Sequence, residues 1–177
     1  MEERHLRVPR TARYHVLGEP ARARRLWIVL HGYGHLARYF LNKFLGAEKD
    51  QCIVAPEGLS RFYLDPEHRR VGATWMTRED REVEIQDQIT YLDSLHHALL
   101  PELAKNIPTG VLGFSQGVAT ACRWAMHGNT ILDRMVLWGG GIPPELERTA
   151  LQQGLQRVHV ALVHGNDDAL VPLSGLE

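Results

Sequence analysis

The segment VLGFSQGVAT, Val111 to Thr120, sets Ser115 between Gly113 and Gly117, directly after an apolar run and directly before a small-residue helical pattern. A serine hydroxyl attacks a carbonyl when a base takes its proton and when fixed donors meet the negative charge that develops on the carbonyl oxygen. The pattern G-x-S-x-G between a strand and a helix supplies that geometry: a tight turn strains the serine backbone and lifts Oγ above the sheet edge, and the flanking glycines let the helix pack close. The helix N-terminus beneath favours developing negative charge. Taken alone, the same five residues also describe a strand-to-helix turn that needs glycine only for packing.

A second stretch, VLHGYGH (29–35), follows an earlier strand-like run and has the form of the loop that completes an oxyanion hole. The backbone N–H groups of Tyr33 and Gln116 are then expected to converge on one carbonyl oxygen. His31 is read as a hydrogen-bonded histidine that shapes this turn, and His35 as a solvated loop residue at the mouth of the site. A third stretch, HGNDDALVP, again stands at the carboxyl end of an apolar run.

The elements that must position these residues follow from periodicity. Runs 26–30, 52–55, 110–114, 134–138 and 158–164 read as buried parallel strands. Residues 78–100 carry Ile85, Ile89, Leu92, His96 and Leu99 on one helical face, with Thr77 and Asp80 as the expected N-terminal cap. Residues 5–18 alternate less cleanly and suggest an antiparallel edge, with Pro9 at its margin. Strands alternating with helices predict an α/β architecture, an open, mainly parallel sheet flanked by helices, with ligands at the strand carboxyl ends. No repeat or linker divides the chain, so residues 1–177 are expected to form one domain.

Composition narrows the partners. Twenty Lys and Arg against twenty-one Asp and Glu leave a net charge of −1, without the positive field that gathers nucleic acid. No apolar run reaches membrane-spanning length and the first ten residues lack a signal-peptide core, so a cytoplasmic location is expected. Cys52 and Cys122 read as small core residues. Ten histidines include no H-E-x-x-H or comparable cluster, and the adjacent His96 and His97 read as a core and surface pair, so no metal site is expected.

With these features together, the chain resembles the phospholipase/carboxylesterase group of α/β-hydrolases, which includes the acyl-protein thioesterases. The group's strand-end pattern HG-x-x-D-x-x-V-P matches His164, Gly165, Asp168, Val171 and Pro172, and the stretches APEG (55–58) and ATWM (73–76) extend the likeness over most of the chain. The resemblance implies Ser115 as nucleophile, Tyr33 and Gln116 as oxyanion donors and Asp168, rather than Asp167, as the carboxylate that orients a histidine. It implies hydrolysis of a small ester, a thioester or a lipid-like substrate through an acyl-serine, with neither a metal nor an organic cofactor. Trp75 lies near the substrate in that pattern, or is simply core. The longest apparent loop, 57–76, contributes Phe62, Tyr63, Trp75 and Met76 as an acyl-binding wall or packs without touching substrate, and leaves the site open on one side.

The base is the awkward member. In this fold the histidine follows the aspartate, and after Asp168 the sequence reads ALVPLSGLE, with none. The family continues through another strand and helix, which the sequence does not contain. Lacking that base, the 177 residues are expected to be inactive or nearly so, and three readings stay open: an incomplete hydrolase, a non-catalytic binding module on the same fold, or a subunit whose partner lends the histidine. Acyl transfer on the same scaffold is a further alternative. Without a following strand, the edge at 158–164 is also a candidate surface for homodimerisation.

Overall fold

The computed structural model of the protein describes residues 1–165. Six strands form one sheet: β1 (Tyr14–Leu17), β2 (Arg25–Leu30), β3 (Gln51–Pro56), β6 (Thr109–Phe114), β7 (Arg134–Trp138) and β8 (His159–Val163), in the spatial order β1-β3-β2-β6-β7-β8. All neighbours run parallel except β1, which pairs antiparallel with β3 from Tyr14 opposite Pro56 to Leu17 opposite Ile53. The expected antiparallel edge is therefore present but confined to four residues, and Pro9 lies outside it.

Period-two alternation sends the strand side chains to two separate cores. Leu26, Ile28, Leu30, Val54, Val111 and Met135 face one side, where helices α2 (Arg81–Leu99), α3 (Gln116–His127) and α4 (Arg148–Gly154) bury Leu92, Leu99, Val118, Trp124 and Leu151. Val29, Ile53 and Ala55 face the other side against Phe40 and Leu41 of α1 (Ala37–Leu41). Both cysteines are buried, and desolvation pushes the Cys52 thiol up to about 11 and that of Cys122 up to about 12, as befits core residues. No helix among the described residues is long and apolar enough to cross a membrane.

On α2 the predicted face is buried at Ile89, Leu92 and Leu99, half-buried at Ile85 and His96, and His97 is exposed. The helix start differs from the expected cap. Asp80 occupies the cap position with φ 49° and makes no side-chain cap bond; instead Glu84 reaches back to accept from the Thr77 amide at 2.5 Å. A carboxylate one turn inside the helix thus takes over the role that spacing had suggested for Asp80. At the other end, Asp93 gathers the Trp124 indole N–H at 2.8 Å and the amides of Asn129 and Thr130 at 2.8 and 3.2 Å, tying α2 to the turn after α3.

Two further differences concern residues 57–76 and β8. The segment read as a long loop carries a hairpin, β4 (Ser60–Tyr63) and β5 (Val71–Thr74), whose turn is held by Asp65 accepting from the Arg69 and Arg70 amides at 3.1 and 2.7 Å. Four-residue strands are too short for alternation to stand out from a loop. Strand β8 pairs in register with β7, yet all five of its residues are exposed, so the burial expected for this run is not found among the described residues.

Val160, Leu162 and Val163 are 43%, 49% and 38% exposed on that edge. Among the described residues β8 ends the sheet, and an edge strand with apolar side chains invites pairing with a second copy. The 177-residue chain is expected to sediment as a concentration-dependent dimer, and a Leu162→Lys variant to shift toward monomer; a monodisperse monomer for the parent chain would count against this.

Candidate active site

Strand β6 ends at Phe114 and α3 begins at Gln116, so a single residue, Ser115, reverses the chain. It does so at φ 52° and ψ −117°, a sparsely populated combination for a residue with a side chain, costing about 1–3 kcal/mol. The surroundings hold it there. The Ser115 amide donates to the Trp138 carbonyl at 2.9 Å, and its own carbonyl accepts from Val118 at 3.0 Å.

Close backbone approach on three sides explains the glycines. A Cβ at position 117 would stand 2.3 Å from the Leu30 carbonyl oxygen, and one at 113 would stand 2.4 Å from that of Gly117. A Cβ at 140 would fall 2.2 Å from the Ser115 carbonyl oxygen. Gly140 was not singled out from the sequence; its signal is the Gly139-Gly140-Gly141 run just past β7.

The loop after β2 lies against this turn. A Cβ on Gly32 would come within 3.1 Å of the Ser115 Cβ and 3.2 Å of the Phe114 ring. The hairpin holds the loop from its far side: the Gly34 amide donates to the Ala73 carbonyl at 2.9 Å, and the Ala73 amide to the His35 carbonyl at 3.2 Å. Among the described residues, the amides of Tyr33 and Gln116 donate no hydrogen bond. The fold thus brings a strained, half-buried serine and two uncommitted N–H groups to the carboxyl ends of β2 and β6, a disposition able to receive a carbonyl becoming an alkoxide.

His31 is fully buried and satisfied on both sides: Nδ1 donates to the Gly32 carbonyl at 2.8 Å and Nε2 accepts from the Gly58 amide at 3.0 Å. Burial lowers its pKa and keeps it neutral, so it shapes the loop as the sequence suggested. The His35 ring lies flat on Phe114 at 5.8 Å, and burial beside Lys43 lowers its pKa too. Trp75, weighed between substrate contact and core, is 2% exposed, and its indole N–H donates to the His31 carbonyl at 2.8 Å. It packs beneath the site rather than lining it. Phe62 is half-buried, and its ring lies tilted against the exposed Tyr33 ring at 5.0 Å. Asp168 lies outside the described residues.

Two polar side chains prove more engaged than spacing indicated. Glu57, in the APEG stretch, is 2% exposed; it accepts from Arg13 at 2.6 Å and from the Ala37 amide at 3.3 Å, fastening the β1 margin and the start of α1 behind the site. Gln116, considered only for its backbone, uses its carboxamide to grip the chain just past β5: Nε2 donates to the Met76 carbonyl at 3.0 Å, and Oε1 accepts from the Trp75 amide at 3.2 Å.

A mainly parallel sheet with helices on both faces, carrying a serine at such a turn on a central strand, is the α/β-hydrolase arrangement. Residues 13–176 match the phospholipase/carboxylesterase family, and the chain belongs to it. The fold is similar to that of acyl-protein thioesterase 2 from Zea mays (TM-score 0.66, 21% identity, 93% of this chain and 80% of that one). It is also similar to a carboxylesterase from Bacillus cereus (TM-score 0.62, 13% identity, 92% and 89%) and to esterase PE8 (TM-score 0.58, 21% identity, 93% and 80%). No curated protein matches the chain in sequence.

Gly117→Ala is expected to lower stability on the order of 3 kcal/mol, because neither the Leu30 carbonyl nor the first turn of α3 can yield without moving the sheet; urea midpoints measure it. For His31 the linkage sign is definite. Its folded pKa is below the ordinary value of about 6.5, so the unfolded chain binds the extra proton, and the stability is complete above that pH and lost as pH falls below it. A His31→Gln variant, less stable at pH 7.5, is expected to lose less of its midpoint between pH 7.5 and 5.5 than the parent does; an equal loss in both would refute the assignment.

Proposed function

We propose that the chain carries the nucleophile and oxyanion hole of a serine hydrolase acting on a carboxylic ester or thioester. The observation that carries this is the strained Ser115 turn with Gly32 of the β2 loop against it. Oγ adds to the substrate carbonyl and passes its proton to a base. The resulting alkoxide takes hydrogen bonds from the Tyr33 and Gln116 amides. The C–O or C–S bond to the leaving group then breaks, releasing an alcohol or thiol that takes up the proton. Water repeats the attack on the acyl-serine, freeing a carboxylic acid and restoring the hydroxyl.

Asp168 is the proposed partner of the histidine that serves as base. No histidine follows it within the 177 residues, and His31 is committed on both ring nitrogens. Loss of a triad histidine costs a factor of about 10⁶ in turnover, while the oxyanion hole and binding retain roughly 10³–10⁴ over water. These 177 residues alone are therefore expected to be inactive or nearly so, with no more than the slow background turnover that an oxyanion hole supports. The Tyr33 and Phe62 rings, tilted against each other at 5.0 Å, are the proposed apolar contact for substrate.

Exogenous imidazole tests the reading, since a small base can enter a site open to solvent. Turnover of p-nitrophenyl butyrate by the parent chain is expected to rise with imidazole well above that of Ser115→Ala under identical conditions. A fluorophosphonate probe should label the parent and not the variant. Equal rates in the two proteins, with no labelling, would favour a binding module instead.

A further inference from the structure

Both halves of the proposed oxyanion hole are held by one short strand. From one side, β5 exchanges Ala73 bonds with Gly34 and His35, the residues just past Tyr33, at 2.9 and 3.2 Å. From the other, the chain leaving β5 is gripped by the Gln116 carboxamide, at 3.2 Å from the Trp75 amide and 3.0 Å from the Met76 carbonyl, with Thr74 Oγ1 2.8 Å from Nε2. The Trp75 indole adds a bond to the His31 carbonyl at 2.8 Å. The Tyr33 loop packs on β5 backbone to backbone, since a Cβ on Gly72 would meet the Gly34 carbonyl oxygen at 2.6 Å, and the chain just past β3 closes on the same strand, where a Cβ on Gly58 would meet the Thr74 carbonyl oxygen at 2.4 Å.

The first residue of α3 could have left its side chain in solvent, since helix starts need nothing from that position beyond a good fit. Instead the carboxamide behaves as a strand-like partner, accepting from one amide and donating to the next carbonyl. One turn and then two turns along the same helix, Thr120 is buried and Arg123 continues the grip, its guanidinium 3.3 Å from the Met76 sulfur and 2.8 Å from Glu145. Met76 is thus held at its carbonyl by Gln116 and at its thioether by Arg123.

We propose that the Gln116 side chain is a positioning residue that makes β5 a common brace for the two N–H donors, so that its carboxamide fixes the spacing between the Tyr33 and Gln116 amides. This goes beyond the backbone role given to Gln116 and rests on Ser115 being the nucleophile. The brace acts on turnover rather than on substrate binding, because the carboxamide faces β5 and reaches the substrate only through the donors it spaces. A misplacement of about 1 Å in such a site costs up to 10²-fold in rate.

Gln116→Met preserves length and removes the bonds to Trp75, Met76 and Thr74; Gln116→Glu keeps the acceptor for the Trp75 amide and loses the donor to Met76 and Thr74. In hydrogen exchange on the full chain, Gln116→Met is expected to speed exchange in peptides covering 32–36 and 71–77 by roughly tenfold or more, with β2 and β6 unchanged. Ser115→Ala should leave those rates alone. On p-nitrophenyl butyrate with imidazole, kcat should fall roughly tenfold for Gln116→Met, less for Gln116→Glu, with KM within about twofold in both. Unchanged exchange in 32–36 would overturn the brace, as would an unchanged kcat or a loss confined to KM. Persistence of turnover in Ser115→Ala would instead overturn the serine reading, and the exchange data would still report on the brace separately.

Discussion

How closely the first turn of α3 can approach the end of β2 sets nearly everything else in this molecule. The Leu30 carbonyl oxygen occupies the place where a Cβ of residue 117 would stand, 2.3 Å away. Only with that contact backbone to backbone does the helix start directly beneath the serine, and only then does the loop after β2 press on the same turn. The strain in the Ser115 backbone is the local cost of this approach, and the two sheet-face cores, built around Val111 and Val29, stabilise the frame that imposes it.

The same economy appears in what surrounds the turn. His31, Gly58, Trp75 and Gln116 form a continuous run of hydrogen bonds beneath the candidate site, from the His31 ring through the Gly58 amide and from the Trp75 indole back to the His31 carbonyl. The His31 imidazole and the Gln116 carboxamide are of types that could do chemistry in another setting. Here burial and full pairing make them scaffolding, which leaves the uncommitted amides and the serine hydroxyl as the groups open to a substrate. The proposed chemistry needs little else from the described residues besides an apolar rim.

Much of this was legible in the sequence because it follows from local patterns. The strands at 26–30, 52–55 and 110–114 are apolar runs covered on both faces, the one at 134–138 is covered on one, and the turn at Ser115 announces itself through its glycines. The β4–β5 hairpin was not legible, since four-residue strands joined by a charged turn alternate too briefly to register. Nor was the grip of Gln116 on Met76, a contact across 40 residues of sequence, or the role of Gly140, whose constraint lies in the carbonyl of Ser115. Asp80 misled because capping depends on backbone angles that spacing alone does not encode; the residue sits left-handed and Glu84 acts in its stead. Long-range partners decide such cases, and a single chain read alone carries no direct signal of them.

The central claim is geometric, that two backbone amides converge on an oxygen bonded to whatever Ser115 attacks. A crystal structure of the chain with an alkylboronic acid bound to Ser115 Oγ tests it most directly. The account predicts a tetrahedral boron with one oxygen about 2.7–3.1 Å from both the Tyr33 and Gln116 nitrogens. A boronate whose oxygens all turn to solvent, or one bound away from Ser115, would contradict it.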